Sequence, residues 1–164
     1  MATRAQALIP IAIAATIIGI AGLVSIPEDS KLESVDFPRG TIALDGKFLE
    51  VQIADTEPRR VRGLMFQEGL KYDEGMIFEF ETKGVHSMWM PNMQFPLDII
   101  WFDADGNIVH IEENVSPCTT VLDTRSCTVS NDNNTFALYV LELAAGYVQM
   151  FGITTESILE IISI

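Results

Sequence analysis

The N-terminal region restricts the fold more than any other part of this chain, because residues 5–26 contain no charge. As a helix, this run rises about 1.5 Å per residue, which is enough to cross a hydrocarbon core of about 30 Å. A soluble core helix would show a polar face, and this segment has none. No small-x-small cleavage site follows the apolar run. We therefore predict a transmembrane anchor, or an uncleaved signal, at residues 5–26.

The charges on either side of the run predict its orientation. Arg4 precedes it, and three of the first four charged residues after it are acidic. Because positive residues favour the cytoplasmic side of a membrane, we expect residues 1–4 in the cytoplasm. Residues 27–40 are polar and predict a linker, and residues 41–164 then form a single domain outside the cytoplasm. The chain is thus expected to be a single-pass membrane protein.

The charge of the chain excludes one class of partner. The 164 residues include 23 acidic and 10 basic residues, for a formal net charge of −13. Binding to nucleic acid requires clustered Lys and Arg that neutralise phosphates. We predict no nucleic-acid partner, and membrane contact only through residues 5–26.

Short alternating segments separated by turn signals predict a mainly β domain. Asp-Gly at 45–46 indicates a tight hairpin, and Pro58 favours a short helix over Glu57–Arg62. Strands are expected at 41–44, 47–53, 75–80, 86–90, 97–102, 108–112, 136–143 and 157–162, with a second short helix within 144–151. About seven short strands with one or two short helices predict a compact barrel or sandwich.

Several motifs occur in a fixed order along the domain. They are RGLM at 62–65, EGMIF at 74–78, WMPN at 89–92, PLDI at 96–99, PC at 117–118 and YVLE at 139–142, followed by Gly146 and Gly152. In this order they resemble the family called domain of unknown function 192, from about Lys47 to the C-terminus. The resemblance implies a small, mostly β domain, often behind a signal or anchor segment, and no established activity. Relatives typically have Lys where this chain has Pro91, and its loss removes a positive charge from that motif.

Asp98 stands out because it interrupts the apolar segment 97–102. A buried carboxylate needs a partner, and Arg62 and Asn92 are the motif residues best able to supply donors. One interpretation is a structural clasp. The other is a ligand-binding pocket formed by Arg62, Trp89, Asn92 and Asp98, with Asp98 as the general acid or base if the domain is an enzyme.

A cluster of soft ligands predicts an alternative, metal-binding role. His86, Met88 and Met90 alternate along one expected strand, so all three share a face, with Trp89 on the other. Thioether and imidazole groups suit Cu(I). The competing interpretation is that the methionines fill the core and the histidine is structural. Apart from this Cu(I) site, no cofactor is predicted.

The two cysteines, Cys118 and Cys127, predict a local disulfide if the compartment is oxidising. Such a bond contributes about 2–3 kcal/mol in the chain-entropy model. Two free thiols or a soft metal pair are the alternatives, and the spacing differs from a CxxC redox motif.

The sequence therefore predicts a membrane-anchored, extracytoplasmic domain that binds a small ligand or a partner without catalysis. Copper handling and an enzyme based on Asp98 are the alternatives.

Overall fold

The computed structural model describes residues 35–118, 127–130 and 135–164. The expected cytoplasmic tail, the predicted anchor at residues 5–26 and most of the predicted linker lie outside this described part. Within it, no helix combines the length and the apolar character that crossing a membrane requires.

The described residues form nine strands and two short helices, in a mainly β domain. The elements are β1 (Arg39–Leu44), β2 (Lys47–Ala54), α1 (Glu57–Arg62), β3 (Glu74–Gly84), β4 (Met88–Trp89), β5 (Leu97–Phe102), β6 (Ile108–Val115), β7 (Thr128–Val129), β8 (Ala137–Ala144), α2 (Tyr147–Phe151) and β9 (Leu159–Ser163).

Seven of the strands form one sheet in the order β6-β5-β8-β3-β2-β1-β9. Its neighbours are antiparallel except β2 and β3, which are parallel and joined through α1. β4 and β7 form a separate two-stranded sheet. Of the predicted barrel or sandwich, the barrel is wrong, because β6 and β9 remain the edges of an open sheet. In the described part these two edges meet at one isolated bridge, between Asn107 and Ile158.

Local signals account for much of this architecture. Asp45 and Gly46 both have positive φ, at 49° and 72°, which is the hairpin geometry that Asp-Gly favours. Pro58 lies in the first turn of α1, whose bounds agree with the prediction. β1 begins at Arg39, inside the predicted linker.

The other elements differ from the prediction mainly in length. The strand predicted at residues 86–90 shortens to Met88–Trp89. Its partner β7 has only two residues, which is too short to produce a recognisable alternation.

The sheet buries a hydrophobic cluster on each face. The first cluster receives side chains from all seven strands and from α2, so the sheet curls around it. The second cluster is built from β3, β4, β5, β8 and the last residue of β2, together with Leu64, Met90 and Met93 from the connecting loops. Every residue of β5 is buried, because this strand contributes to both clusters. The candidate site lies on the second-cluster face.

Candidate functional site

A small cavity lies on the second-cluster face of the sheet, next to the end of α1. The space open to the centre of a water molecule measures about 10 Å³, which is room for about one water molecule or one atom of a ligand head group. The lining residues come from α1, β3, β4, β8 and two loops. They are Arg60, Arg62, Gly63, Leu64, Met65, Phe78, Met88, Trp89, Met93 and Glu142.

Glu142 is the acidic residue of this cavity. It lies near the end of β8, opposite Met76 of β3 and Ile99 of β5, and only 3% of its surface is exposed. Burial among these apolar neighbours raises the pKa of the Glu142 carboxyl from 4.5 to about 8, since burial disfavours the charged form. At neutral pH this side chain is therefore mostly protonated.

The carboxyl group of Glu142 faces the cavity. Among the described residues, no hydrogen-bond donor reaches it. Every fully sealed side-chain nitrogen or oxygen in that part of the chain does have a partner. The Glu142 carboxyl is therefore not sealed, but reaches the cavity that it lines. A buried polar group in this position has unused hydrogen-bonding capacity, which a ligand can satisfy.

Arg62 brings a positive charge to the same cavity. It is the last residue of α1 and only 8% exposed. Its guanidinium group lies 5.1 Å from the centre of the Phe66 ring, and its Nη1 donates a 3.5 Å hydrogen bond to the carbonyl of Gly63. α1 ends here because Gly63 has a positive φ of 46° and its N–H donates to the Arg59 carbonyl. The helix end thus holds Arg62 beside the sheet.

A wider groove adjoins the cavity. The space in this groove that is open to the centre of a water molecule is about 190 Å³. Its lining shares Arg60, Phe78, Met88 and Trp89 with the cavity and adds Glu57, Val61, Phe80 and Ser87. Trp89 is 47% exposed at this position. The cavity and the groove are therefore neighbouring parts of one depression, with the polar Glu142 and Arg62 in the inner part and aromatic rings in the outer part.

The predicted disulfide between Cys118 and Cys127 is confirmed, with 5.6 Å between the two Cα atoms. Both half-cystines bind the backbone of Met90. The Met90 N–H donates to the Cys127 carbonyl at 2.9 Å, and the Cys118 N–H donates to the Met90 carbonyl at 3.1 Å. The disulfide therefore fixes the segment that carries Met88 and Trp89, one wall of the depression.

Asp98 lies on the other face of the sheet. In the register of β5 and β8, Asp98 is opposite Leu143 and Ile99 is opposite Glu142, so Asp98 and Glu142 project in opposite directions. Asp98 is fully buried, and its two oxygens accept the N–H groups of Asn114 and Val148 at 2.9 and 2.8 Å. This geometry is that of a structural clasp, made with backbone donors instead of Arg62 or Asn92.

The predicted pocket is therefore only partly assembled. The structure brings Arg62 and Trp89 together. Asn92 is an exposed turn residue with φ of 57°, and its carbonyl accepts the Phe66 N–H at 3.0 Å. Asn92 thus positions the loop after α1 through its backbone, and neither it nor Asp98 lines the depression.

The residues of the predicted copper site have different surroundings. The His86 ring stacks on Phe80, with 3.5 Å between ring centres, and its Nε2 lies 3.3 Å from the Thr82 carbonyl. Burial lowers the pKa of His86. Met88 and Met90 both pack in the second cluster, and Met88 also lines the depression. The described part also holds no cluster of three or more His, Cys, Asp or Glu residues suited to a metal. Cu(I) binding stays a prediction.

Sequence reasoning missed Glu142. It interrupts the apolar segment of β8 in the same way that Asp98 interrupts β5, and it belongs to the YVLE motif. This interruption of an apolar segment could have identified Glu142 as a candidate site residue. The sequence did not reveal which of the two carboxyl groups meets backbone donors and which meets a cavity.

Comparisons with known proteins agree on the fold. The family DUF192, described as an uncharacterized ACR, matches residues 40–161. The chain belongs to this family. No match is found among curated proteins. A Sinorhizobium meliloti 1021 protein, provisionally described as a transcription regulator, is similar at 30% identity and a TM-score of 0.67, covering 77% of this chain and 96% of that one. A Novosphingobium aromaticivorans DSM 12444 protein of unknown function is similar at 25% identity and a TM-score of 0.65, covering 79% and 95%.

Proposed function

We propose that this DUF192 domain is a binding module for a small molecule, which it holds in the depression between α1, β4 and β8. One observation carries the proposal. Glu142 is only 3% exposed, and its carboxyl has no hydrogen-bond donor among the described residues, yet the residue lines a cavity that Arg62 also lines. A buried polar group without a partner costs free energy, and a ligand that pairs with it recovers that cost.

The shape of the depression supports a ligand with two parts. The inner cavity admits about one atom of a polar head group. The outer groove is lined by Phe78, Phe80 and Trp89, which favours an apolar or aromatic body. Concave, mostly apolar sites with a few converging polar groups are typical of small-molecule binding.

The lining of the depression favours binding over catalysis. Among the described residues that line the depression, Glu142 is the acid with a raised pKa, and the one hydroxyl group is that of Ser87. A nucleophile next to a general base, as in acyl-transfer enzymes, is not formed by these residues. The regulator description of the Sinorhizobium protein does not transfer readily either, because a net charge of −13 opposes DNA binding.

A thermal-shift screen of small molecules on the full-length protein tests the proposal. A ligand of the native state raises the melting temperature by mass action. We expect stabilising compounds whose effect is lost in Trp89→Ala. Phe48→Ala is the matched control, because Phe48 is also an exposed aromatic residue, at 69%, but lines a different groove. A screen without stabilising compounds, or hits abolished by Phe48→Ala and kept by Trp89→Ala, would refute binding at this depression.

We further propose that the domain is anchored to a membrane and lies outside the cytoplasm. The uncharged run at residues 5–26 and the charges around it support this location. The Cys118–Cys127 disulfide also supports it, since disulfides persist in oxidising compartments. Cell fractionation with thiol labelling tests the location. The protein should appear in the membrane fraction with unreactive cysteines, and full-length protein in the cytosol with two labelled thiols would contradict the proposal.

A further inference from the structure

A second groove is lined by β2, by α2 and by the loop before β3. The space in it that is open to the centre of a water molecule is about 470 Å³, within the range of about 300–1,000 Å³ that is typical of small-molecule sites. None of its lining residues also lines the depression. The groove combines four aromatic rings with two charged side chains, which are Phe48, Tyr72, Tyr147 and Phe151 with Lys47 and Asp73.

Three of the rings contact one another in a fixed arrangement. Tyr147 and Phe151 are four residues apart in α2, so they share a face of that helix, and their ring centres are 4.4 Å apart. Tyr72 meets Phe151 edge-on, with 6.4 Å between ring centres. The Tyr72 hydroxyl donates to the carbonyl of Ala145, just before α2, at 3.2 Å. The loop before β3 is thereby tied to α2, and the rings of the groove are already positioned.

The hydroxyl of Tyr147 is the buried polar group of this groove. Tyr147 is only 1% exposed, and its hydroxyl has no hydrogen-bond partner in the described part of the chain. Side-chain nitrogens and oxygens that are fully sealed in that part all have partners, so this hydroxyl is not sealed, and the residue lines the groove. Buried tyrosine hydroxyls usually find a partner. A ligand in the groove can supply the missing one.

Two side chains of opposite charge lie beside the rings. Lys47 and Asp73 are both exposed, and the Lys47 ammonium lies 5.5 Å from the centre of the Phe151 ring. Within the described ranges, neither side chain takes part in a hydrogen bond or a salt bridge. The groove therefore offers N–H donors, carboxylate acceptors and a hydroxyl group that can act as either. The two charges offset each other, which favours a neutral ligand.

Phe48 presents an apolar ring to water at the same place. At 69% it is the most exposed large hydrophobic residue in the described part of the chain, and Tyr72 is 42% exposed. Grouped apolar side chains on a surface mark sites of interaction. A ligand that covers the Phe48 ring removes apolar area from water, which stabilises the complex.

We propose that this second groove binds a neutral sugar ring. A pyranose in its chair form has C–H groups on its faces and hydroxyl groups around its edge. One face covers the Phe48 ring, whose electron-rich surface attracts the C–H groups. The edge exchanges hydrogen bonds with the Tyr147 hydroxyl and with the side chains of Asp73 and Lys47. A wholly apolar ligand would leave those polar groups without partners.

Saturation-transfer NMR of the full-length protein with cellobiose, lactose, maltose and sorbitol tests this inference. The three disaccharides consist of sugar rings, whereas sorbitol has similar hydroxyl groups on an open chain without a rigid apolar face. We expect at least one disaccharide to bind at millimolar concentration, with the strongest transfer to the ring hydrogens of one face. Sorbitol should not bind.

Two variants separate the apolar contact from the hydrogen bond. Phe48→Ala should weaken the binding of that disaccharide about tenfold or more, because the covered ring is lost. Tyr147→Phe keeps the packed ring and removes only the hydroxyl, so affinity should fall about three- to tenfold. Phe136→Ala is the matched control and should bind like the wild type. Phe136 is also an exposed aromatic residue, at 62%, but it precedes β8 at the end away from α2.

Each other result overturns the inference. It is wrong if no disaccharide binds at millimolar concentration, or if sorbitol binds equally well. Affinity that is unchanged in Phe48→Ala or Tyr147→Phe, or that falls equally in Phe136→Ala, would remove the sugar from this groove. A dimer in sedimentation that Phe48→Ala dissociates would show that a second copy of the chain covers the groove. The depression shares no residue with this groove, so the thermal-shift screen decides separately on the proposed function.

Discussion

At the scale of single residues, Glu142 and Asp98 show how the same side-chain chemistry leads to opposite outcomes. Both carboxyl groups are buried on neighbouring strands of one sheet. Asp98 meets two backbone N–H donors, whereas Glu142 meets a cavity. The first carboxylate stabilises the fold, and the second is destabilising when charged, because burial without donors favours the neutral form.

This difference predicts a pH effect on stability at Glu142. Its folded-state pKa of about 8 lies above the ordinary 4.5. Between these pH values the folded state keeps a proton that the unfolded state has lost, so the free energy of unfolding falls by up to about 1.4 kcal/mol per pH unit. This stability is fully present below the ordinary pKa and is lost as pH rises through the folded one. Glu142→Gln should remove this part of the slope.

Urea unfolding of both proteins between pH 5 and 9 checks the prediction. The wild type should lose stability relative to Glu142→Gln as the pH rises, and the difference should level off above about pH 8. The difference in unfolding free energy between the two proteins cancels the contributions of other titrating groups. Asp45 and Asp103 are examples, since their lowered pKa values give both proteins stability that is lost as the pH falls. Parallel pH profiles would show that Glu142 is not desolvated.

At Asp98, by contrast, removal of the charge should destabilise the protein. In Asp98→Asn one carboxylate oxygen becomes an amide nitrogen, which cannot accept the N–H of Asn114 or Val148. We expect a loss of about 2–4 kcal/mol in the free energy of unfolding, measured in urea. Asp105→Asn is the control, because Asp105 is exposed and contributes only its backbone N–H to a hydrogen bond. Equal stability of the two variants would contradict the clasp.

At the scale of elements, the sequence predicted what depends on local signals. Pro58 and Gly63 bound α1, and Asp45-Gly46 fixes the β1–β2 hairpin. The order of the strands depends on contacts between distant residues, and no local pattern encodes it. β8, for example, lies between β5 and β3 although β6 follows β5 in the chain. For this reason the mainly β class was predictable and the open sheet was not.

The contact between β9 and the turn before β6 is a point where one glycine is required. A Cβ atom at Gly106 would collide with the backbone carbonyl of Leu159, and Gly106 also has φ of +83°. The Leu159 N–H donates to the Gly106 carbonyl at 2.9 Å. Gly106→Ala should therefore separate the two sheet edges and cost about 3 kcal/mol or more in the free energy of unfolding.

Gly46→Ala is the matched control for this prediction. Gly46 has a similar φ of +72°, but nothing lies within 4 Å of the added methyl group. It should lose only about 1 kcal/mol, the cost of the backbone conformation. A thermal or urea unfolding series in which the two variants are equally stable would refute the steric account of Gly106.

The disulfide should contribute both to the stability of the fold and to ligand affinity at the depression. Cys118→Ala with Cys127→Ala removes a cross-link between residues 9 apart, and we expect a loss of about 2–3 kcal/mol. Because both cysteines bind the Met90 backbone, affinity for a compound found in the thermal-shift screen should fall as well. Gly106→Ala controls for lost stability alone, since Gly106 is not part of the depression. If the two proteins lose affinity equally, the disulfide has no specific effect on the site.

At the scale of the whole molecule, composition predicted which partners are excluded but did not predict which residues form the site. The net charge of −13 opposes binding to nucleic acid. It did not indicate that Arg60, Arg62 and Glu142 line one cavity, since that arrangement depends on the tertiary structure, which brings the end of α1 near β8. The residues of the site therefore depend on the fold and cannot be read from the overall composition.

Carbon-13 NMR titration of the Glu142 side-chain carboxyl, in full-length protein, tests the central claim most directly. Glu142→Gln identifies the resonance by its absence. A buried carboxyl without donors at a cavity should titrate with a midpoint near pH 8, and its resonance should shift when a stabilising compound from the thermal-shift screen is added. A midpoint near the ordinary 4.5, with no change on adding such a compound, would show a hydrated or hydrogen-bonded group and would contradict the account.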